Sequence, residues 1–484
     1  MRIPAVLKGL LLVSGWALAG WLFLSRTEPP PPVVEAPRPE VPVEPPKGPV
    51  PAKEPVPTES PISAAFQKWS EDPALAGALV GFCVLDEFGK PIFTSSLAEH
   101  ALCPASALKT VTTAAAFEIL GPGFQFETSV AASSAPDANG LLNGDLILIG
   151  GGDPTLTSED IAALADTIAK AGIKRISGRI LTDLTVFPQP PVSDHWNWGD
   201  IGNAYGAGAY GLNVDHNRLS VTFAPAAKPG APATLQDIAP VARDTRPVSR
   251  VTTGDPGSGD GVMIYSEPDG RRITLTGTVP AGEKDFTVGG AIPDPPTLAA
   301  ELLETRLKSS GIKIEGKTLP ASSDRKILAV HRSALLPEII DHLHRVSDNL
   351  EAQCLFYAIG KMKDADPAAA LKTFWQEKGV TFSGLRLIDG SGLARATMIR
   401  PLDLALVNHH ARRGPHGNRF KQSLSTYLDG AVRSKLGAMS GVKTDVGFLT
   451  TQDGRELTYC LMANGLDPAV NFWPLREQLL RAIR

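Results

Sequence analysis

The sequence predicts an α/β (α+β) fold whose strands come from both ends of the folded chain. An apolar strand at residues 78–86 turns back into a second strand around 92–94 and leads into a helix. Strand and turn patterns then dominate residues 121–324. Helical patterns return after this stretch. Two further strands, around 447–451 and 457–462, precede a C-terminal helix.

The N-terminal residues predict export from the cytoplasm. Arg2 and Lys8 precede an apolar run at residues 9–24, a charge pattern typical of an export signal. Two fates stay open for the predicted signal segment, residues 1–27. Ala-Leu-Ala at 17–19 is typical of a cleavage site, whereas the apolar run continues past it and favours an uncleaved membrane anchor.

Residues 28–61 predict a linker. The stretch from 29 to 61 contains 14 prolines and no aromatic residue, so it cannot build a hydrophobic core. Such a composition favours an extended, polyproline-like tether. We therefore expect the folded part of the chain to begin near residue 62.

The overall composition excludes one class of partner. The chain has 484 residues, a net charge of −4 and a charged fraction of 20%. It lacks the basic excess that proteins use to bind nucleic acid, so we expect no nucleic-acid partner.

The four cysteines leave two possibilities open. Cys83, Cys103, Cys354 and Cys460 show neither a Cys-x-x-Cys pattern nor metal-like spacing. One or two disulfides could form in an oxidising compartment, and buried free thiols are an equally good interpretation.

A serine and a lysine three residues apart form the first candidate catalytic pair. Ser106 and Lys109 stand at the start of an apolar helical pattern, where the lysine amine can reach the serine hydroxyl. Unpaired N–H groups at a helix start can stabilise an oxyanion, and a lysine in an apolar site can lose its proton and act as a base. Taken alone, the pattern favours a helix cap followed by a solvated lysine.

Two other stretches agree with a catalytic interpretation. Ser347 and Asn349 lie where two helical patterns meet, so their side chains can point into a cleft. Residues 389–393, Asp-Gly-Ser-Gly-Leu, join a predicted strand to a polar turn. A Lys-x-Gly follows near the C-terminus, at Lys435 and Gly437.

Ser-x-x-Lys, Ser-Asp-Asn and a strand with Lys-x-Gly, in this order, resemble the active-site motifs of penicillin-binding proteins and serine β-lactamases. The chain from residue 62 onward is similar to the class C low-molecular-mass penicillin-binding proteins, which are D-alanyl-D-alanine carboxypeptidases/endopeptidases. The resemblance is carried by residues 104–128, 150–158, 205–222, 347–360 and 389–393.

The resemblance implies a fold and its domain limits. It implies a transpeptidase domain with an antiparallel sheet flanked by helices, made of residues 62–135 and 325–484. A large β-rich insertion, residues 136–324, would separate the first two motifs.

The third motif has two candidate positions. Lys443-Thr444-Asp445 has the family's lysine and threonine but no glycine. Aligning residues 446–451 with the family's next strand places the motif instead on Lys435-Leu436-Gly437, which we adopt. Leu436 then stands where the family has a threonine, whose hydroxyl binds the terminal carboxylate of the substrate.

The resemblance also implies roles for residues. Ser106 would attack the peptide carbonyl between two D-alanines, Lys109 would take its proton, and Ser347 would pass a proton to the leaving amine. The backbone N–H groups of Ser106 and Ala438 would hold the oxyanion. The implied substrate-binding residues are Asn349, Lys435, Gly437, Ala438, Asp389, Ser391 and Gly392.

The implied activity needs no metal and no organic cofactor. Its partners would be peptidoglycan peptides as substrates, β-lactam antibiotics as covalent inhibitors, and the inner membrane through the N-terminal segment. The implied location is the bacterial periplasm.

Three alternatives remain at this point. A catalytically impaired, peptidoglycan-binding relative is suggested by Leu436 and the proline-rich linker, whereas the other motif residues argue against it. A β-lactamase is disfavoured because those compact enzymes lack the large insertion. A purely structural envelope protein would have no need for three motifs in this order.

Overall fold

The computed structural model describes residues 60–319 and 325–484. The predicted signal segment and the linker up to residue 59 lie outside them. Within the described ranges, no helix is both long and apolar enough to cross a bilayer. The helices are α1 (Pro61–Ser70), α2 (Lys109–Ile119), α3 (Ser158–Lys170), α4 (Pro295–Ser309), α5 (Leu336–Val346), α6 (Asn349–Lys363), α7 (Pro367–Glu377), α8 (Pro401–Arg413), α9 (Gly417–Ser423) and α10 (Phe472–Ala482).

The strands are β1 (Leu79–Leu85), β2 (Pro91–Thr94), β3 (Glu127–Ala132), β4 (Leu141–Leu142), β5 (Leu146–Ile149), β6 (Arg175–Ile176), β7 (Ile180–Asp183), β8 (Arg218–Ala224), β9 (Thr234–Ala239), β10 (Arg246–Ser249), β11 (Thr252–Gly254), β12 (Gly261–Ser266), β13 (Arg272–Pro280), β14 (Phe286–Ala291), β15 (Lys313–Ile314), β16 (Lys326–Arg332), β17 (Ser425–Tyr427), β18 (Val432–Met439), β19 (Val442–Thr450) and β20 (Glu456–Asn464).

A six-stranded antiparallel sheet draws its strands from both ends of the folded chain, as predicted. The strand order is β17-β18-β19-β20-β1-β2. The N-terminal hairpin β1-β2 joins the C-terminal strands through β1, which pairs with β20 from Leu79 opposite Asn464 to Leu85 opposite Thr458. The six-stranded sheet is therefore complete only when strands from both ends of the folded chain pair with each other.

Helices cover both faces of this sheet. Successive side chains of a strand point to opposite faces, and β1 shows this directly. Phe82 packs on one face with Trp69 of α1 and Phe472 of α10. Cys83 packs on the other face in the cluster that contains α2, α6 and α8. The predicted α+β fold, with an antiparallel sheet flanked by helices, is confirmed.

The chain between α2 and α5 forms a β-rich region with its own hydrophobic core. Its sheets have the orders β16-β3-β5-β7, β14-β8-β9 and β15-β6-β4, and a fourth groups β10, β11 and β12 around β13. Their apolar side chains share one cluster with those of α3 and α4. Since β3 and β16 pair within this region, its strands extend slightly beyond the predicted limits of residues 136 and 324.

Two consecutive helices bring the second motif to the sheet. The apolar residues Leu336, Ile339, Ile340 and Leu343 of α5 recur at helical spacing and are all buried. Ser347 ends α5 in a left-handed conformation (φ 60°), and Asp348 caps the start of α6. This sharp junction turns the chain toward the N-terminal end of α2.

All four cysteines are free and buried. Of the two possibilities left open by the sequence, the structure therefore contains thiols and no disulfide among them. Cys83 and Cys460 lie opposite each other on β1 and β20. Burial raises the pKa of Cys83 to about 12, so this thiol stays protonated and unreactive at neutral pH.

Candidate active site

Ser106 lies on a tight turn that leads into a buried helix. A 3-10 helix, Ala105–Leu108, precedes α2, and Lys109 is the first residue of α2. Ala105 has a left-handed backbone (φ 45°), which is unusual for a residue with a Cβ atom. Strained conformations of this kind occur at active sites when the surrounding structure holds them in place.

Two other segments support this turn. Gly392 has φ 79°, and a Cβ atom there would lie 1.9 Å from the carbonyl oxygen of Ala105. On the other side, Gly437 of β18 leaves no room for a side chain, because a Cβ atom would lie 2.8 Å from the amide nitrogen of Ala107. Glycine at both positions therefore allows the 389–393 turn and β18 to pack against the serine turn.

Lys109 is fully buried and contacts three oxygen atoms. Its Nζ lies 2.8 Å from Ser106 Oγ, 2.5 Å from Asn349 Oδ1 and 2.9 Å from the Ser391 carbonyl oxygen. The amide and carbonyl oxygens can only accept hydrogen bonds. A neutral amine would donate to these two and keep its lone pair for the Ser106 hydroxyl proton.

The surroundings of Lys109 favour this neutral form. Burial lowers its pKa well below the ordinary lysine range, and the positive charge of Lys435 lowers it further. The carboxylates of Asp389 and Asp348 act in the opposite direction without cancelling the shift. A buried lysine with a lowered pKa is suited to activate a serine.

Ser347 and Asn349 lie on either side of the α5–α6 junction. The Asn349 side chain accepts from Lys109 and donates to the Tyr205 carbonyl oxygen at 2.8 Å. Ser347 Oγ accepts a hydrogen bond of 2.8 Å from Lys435 Nζ. Hydrogen bonds thus join the second motif to the first, through Asn349 and Lys109, and to the third, through Ser347 and Lys435.

Lys435 and Gly437 lie on β18, next to the serine turn. Lys435 is buried, and burial lowers its pKa to about 8 against the opposing influence of Asp445. The pairing of β17 with β18 stops at Ser434. Residues 435–439 therefore have no strand partner on that edge among the described residues, and an extended peptide could add there.

The alternative third-motif stretch lies on the neighbouring strand β19 and has other contacts. Lys443 is 5.9 Å from the centre of the Trp473 ring. Thr444 donates a hydrogen bond of 2.6 Å to the Pro104 carbonyl oxygen and so supports the serine turn from below. Asp445 forms a buried ion pair of 2.6 Å with Arg476 of α10. The lysine beside Ser347 is therefore Lys435.

Residues 389–393 form a buried turn, and the Asp389 carboxylate in it accepts hydrogen bonds from other groups of the protein. Asp389 accepts hydrogen bonds from the backbone of Gly392 and Ala394, at 2.8 and 2.9 Å, and from the Trp196 indole at 2.7 Å. Asp389 and Ser391 are fully buried. In the structure, Asp389 and Ser391 hold the Ser391 carbonyl oxygen next to the Lys109 amine.

Leu436 and Ala438 are the remaining predicted positions on β18. Leu436 is half-buried and Ala438 is exposed. Both lie on the strand that carries Lys435 and Gly437, so the structure brings every sequence-predicted site residue to one region between α2, the α5–α6 junction and β18.

The insertion supplies contacts that were not among the predicted site residues. Trp196 binds Asp389, the Tyr205 carbonyl binds Asn349, and Arg218 donates to the buried Asp348 carboxylate at 2.6 Å. The partners are separated by 193, 144 and 130 residues along the chain. No local pattern signals contacts over such separations.

A profile of one protein family and two known relatives match most of this chain. A sequence profile described as "D-Ala-D-Ala carboxypeptidase 3 (S13) family" matches residues 62–413 and 408–472. A D-alanyl-D-alanine carboxypeptidase of Actinomadura sp. (strain R39) is 32% identical over 432 residues, which cover 82% of this chain and 79% of the relative. The D-alanyl-D-alanine carboxypeptidase DacB of Haemophilus influenzae is 26% identical over 417 residues, or 80% and 86% of the two chains.

A solved structure has a similar fold. The crystal structure of penicillin binding protein 4 from Haemophilus influenzae superposes with a TM-score of 0.75 and 24% identity, covering 87% of this chain and 98% of the other. A second structure of that protein, with a TM-score of 0.72, is complexed with a β-lactam. At this level of identity the likeness concerns the fold alone.

Proposed function

This chain belongs to the D-Ala-D-Ala carboxypeptidase 3 (S13) family, and from this premise we propose that Ser106 is its nucleophile and Lys109 its general base. The protein is a serine-type D-alanyl-D-alanine carboxypeptidase/endopeptidase, a peptidoglycan hydrolase. The observation that carries the assignment of residues is the buried Lys109 amine, 2.8 Å from Ser106 Oγ.

Acylation follows from this geometry. Ser106 Oγ attacks the carbonyl carbon between two D-alanines while its proton passes to neutral Lys109. We assign the backbone N–H groups of Ser106 and Ala438 to the developing oxyanion. As the C–N bond breaks, Ser347, linked to Lys435 at 2.8 Å, relays the proton taken up by Lys109 to the leaving amine. Water then hydrolyses the ester and releases Ser106.

The open edge of β18 supports the proposed mode of substrate binding. An extended peptide would pair with residues 435–439 along the edge opposite β19, where no described strand pairs. Asn349 would hold the peptide's backbone amide, and Lys435 would face its terminal carboxylate. β-Lactams would acylate the same serine as covalent inhibitors.

The reaction itself is tested with two substrates. Release of free D-alanine from a pentapeptide ending in D-Ala-D-Ala measures carboxypeptidase activity. Conversion of a crosslinked dimer to monomers, followed by chromatography, measures endopeptidase activity. Absence of both would contradict the proposal. Lys109 contacts Ser106 and Asn349, and Ser347 contacts Lys435, so the impaired alternative gains no support from the described site.

The Leu436→Thr variant is expected to gain activity on substrates with a free terminal carboxylate. A hydrogen bond to a charged group contributes about 1.5–3 kcal/mol, so kcat/KM should rise by about one to two orders of magnitude. The matched control is Leu436→Val, which has the shape of threonine without its hydroxyl. Equal rates for the two variants, or an equal gain on a C-terminal amide substrate, would show that the hydroxyl does not bind the carboxylate.

The pH dependence is expected to show a descending limb near pH 8. Lys435, whose pKa is about 8, is a cation below this pH and loses its charge above it. Recognition of a terminal carboxylate should therefore weaken as pH rises through 8. Profiles of kcat/KM for a carboxylate substrate and for its amide analogue measure this effect. A limb of the same position and depth for both substrates would rule out Lys435 as its origin.

We further propose that the protein acts in the bacterial periplasm, tethered to the inner membrane through residues 1–27. The basic residues and apolar run of that segment support this proposal. Cell fractionation of the full chain, beside a chain in which a cleavable export signal replaces residues 1–27, measures it. Recovery of the full chain from the soluble periplasmic fraction would exclude the tether.

A further inference from the structure

A group of exposed and partly exposed aromatic and apolar side chains lies on the insertion. The Trp198 side chain is 58% exposed, and its ring is nearly parallel to that of Tyr265, with an interplanar angle of 17° and centroids 6.3 Å apart. Met263, 38% exposed, is on the same strand as Tyr265 and borders Gly199, where a Cβ atom would lie 3.2 Å from its methyl group. We call Trp198, Tyr265 and Met263 the aromatic platform.

The border of the platform is polar. Asn197 donates a hydrogen bond of 2.9 Å to Asp200, and both side chains stay partly or fully accessible. Flat aromatic surface beside amide and carboxylate groups matches a sugar, whose ring has an apolar C–H face and a rim of hydroxyl groups. A purely apolar partner would take the remaining donor and acceptor positions of these groups out of water without replacing their hydrogen bonds, which costs binding energy.

Trp198 of the platform belongs to the loop that contacts the active site. Trp196 of this loop binds Asp389, and the Tyr205 carbonyl binds Asn349. Trp198 is two residues from Trp196, so their Cα atoms lie within about 7.6 Å. An extended pentapeptide spans at most about 18 Å. A substrate peptide is therefore long enough to hold an attached sugar outside the cleft, on the side where this loop contacts it.

We propose that the aromatic platform binds a sugar ring of the glycan strand that carries the substrate peptide. This inference rests on the proposed function, because it assumes that a stem peptide occupies the cleft. Trp198 and Tyr265 would stack on the C–H face of the sugar, and the polar border would bind its hydroxyl or acetamido groups. The enzyme would then prefer glycan-attached stem peptides to free peptides of the same sequence.

The test compares one pentapeptide in two forms, free and attached to the disaccharide of N-acetylglucosamine and N-acetylmuramic acid. In the Trp198→Ala variant, kcat/KM for the disaccharide form should fall about three- to tenfold, the range expected for the loss of one stacking contact. The free pentapeptide should be cleaved at the rate of the unmodified enzyme. Phe88→Ala is the matched control, since Phe88 is 82% exposed on the turn between β1 and β2.

Equal losses on both substrates would overturn the proposal, because they would show that Trp198 supports the catalytic loop. No loss on either substrate would overturn it as well. Trp198→Phe, which keeps an aromatic face, should restore most of the preference for the disaccharide form.

Direct binding separates this inference from the proposed function. The Ser106→Ala protein is titrated with glycan strands from which the peptides have been removed, and binding is followed by tryptophan fluorescence. Saturable binding that Trp198→Ala weakens supports the platform even if no peptide is cleaved. If the unsubstituted enzyme reacts with penicillin but the Ser106→Ala protein does not bind the glycan strands, the sugar-binding role of the platform is contradicted. The proposed function is then unaffected.

Discussion

Replacing Ser106 with alanine is expected to abolish covalent labelling by a fluorescent penicillin and to lower D-alanine release by more than about 10⁴-fold. Loss of a nucleophile removes the acyl-enzyme route entirely, and losses of about 10⁶-fold are known for serine hydrolases. Ser106 Oγ lies 2.8 Å from Lys109 Nζ on a strained turn, and Ser347 contacts the other active-site lysine, Lys435. Gel fluorescence and a chromatographic D-alanine assay measure the two effects.

Ser347→Ala is the matched serine control. It should slow the reaction while the protein still forms a covalent adduct, because Ser106 and Lys109 remain. Labelling of Ser106→Ala at the rate of the unmodified protein would place the nucleophile elsewhere. Failure of the unmodified protein to label at all would contradict the acylation mechanism as a whole. Thermal unfolding of each variant shows that the comparison is made on folded protein.

Replacing Lys109 is expected to lower the acylation rate by about 10²- to 10⁴-fold, the range for a general base. Lys109→Met keeps a chain of similar shape without the amine. Lys109→Arg keeps a positive charge, yet a guanidinium does not lose its proton in proteins. Both variants should therefore fail, because the site requires a neutral amine rather than a cation. The rate of penicillin acylation under single-turnover conditions is the measurement.

Lys378→Met controls for the loss of a lysine as such. Lys378 pairs with Glu118 at 2.7 Å, away from the serine turn, and its replacement should leave acylation unchanged. A Lys109→Arg variant that folds and acylates at the normal rate would show that positive charge, and not proton transfer, is what Lys109 contributes.

The sequence predicted those features that depend on near neighbours. Residues three apart share a helix face, so the spacing of Ser106 and Lys109 predicted that the lysine amine can reach the serine hydroxyl, and the other motifs favoured a catalytic pair. The sequence also predicted three buried elements. They are the helix α5, from the 3.6-residue spacing of its apolar residues, and the strands β1 and β20, from their apolar runs. Motif order then placed Ser347, Asn349 and Lys435 in the same site before any contact was known.

The local sequence could not decide between the two candidate segments for the third motif, because their compositions are similar. Lys443-Thr444-Asp445 and Lys435-Leu436-Gly437 each have two of the three residues of the family's third motif, and only the alignment of the following strand favoured the latter. In the structure, the two segments lie side by side on β18 and β19, with Gly437 opposite Thr444. The hydrogen bond between Lys435 Nζ and Ser347 Oγ decides which lysine can act in the site.

By itself, the sequence thus predicted the α+β class, the strand-rich insertion and the catalytic groups that we propose. Only the tertiary structure decided that the insertion reaches into the site, through Trp196, Tyr205 and Arg218. It also decided that the cysteines remain thiols. The physical reason is range: spacing and periodicity encode contacts within one element. Contacts between residues more than a hundred positions apart arise when hydrophobic faces pack and bring the polar groups at their edges together.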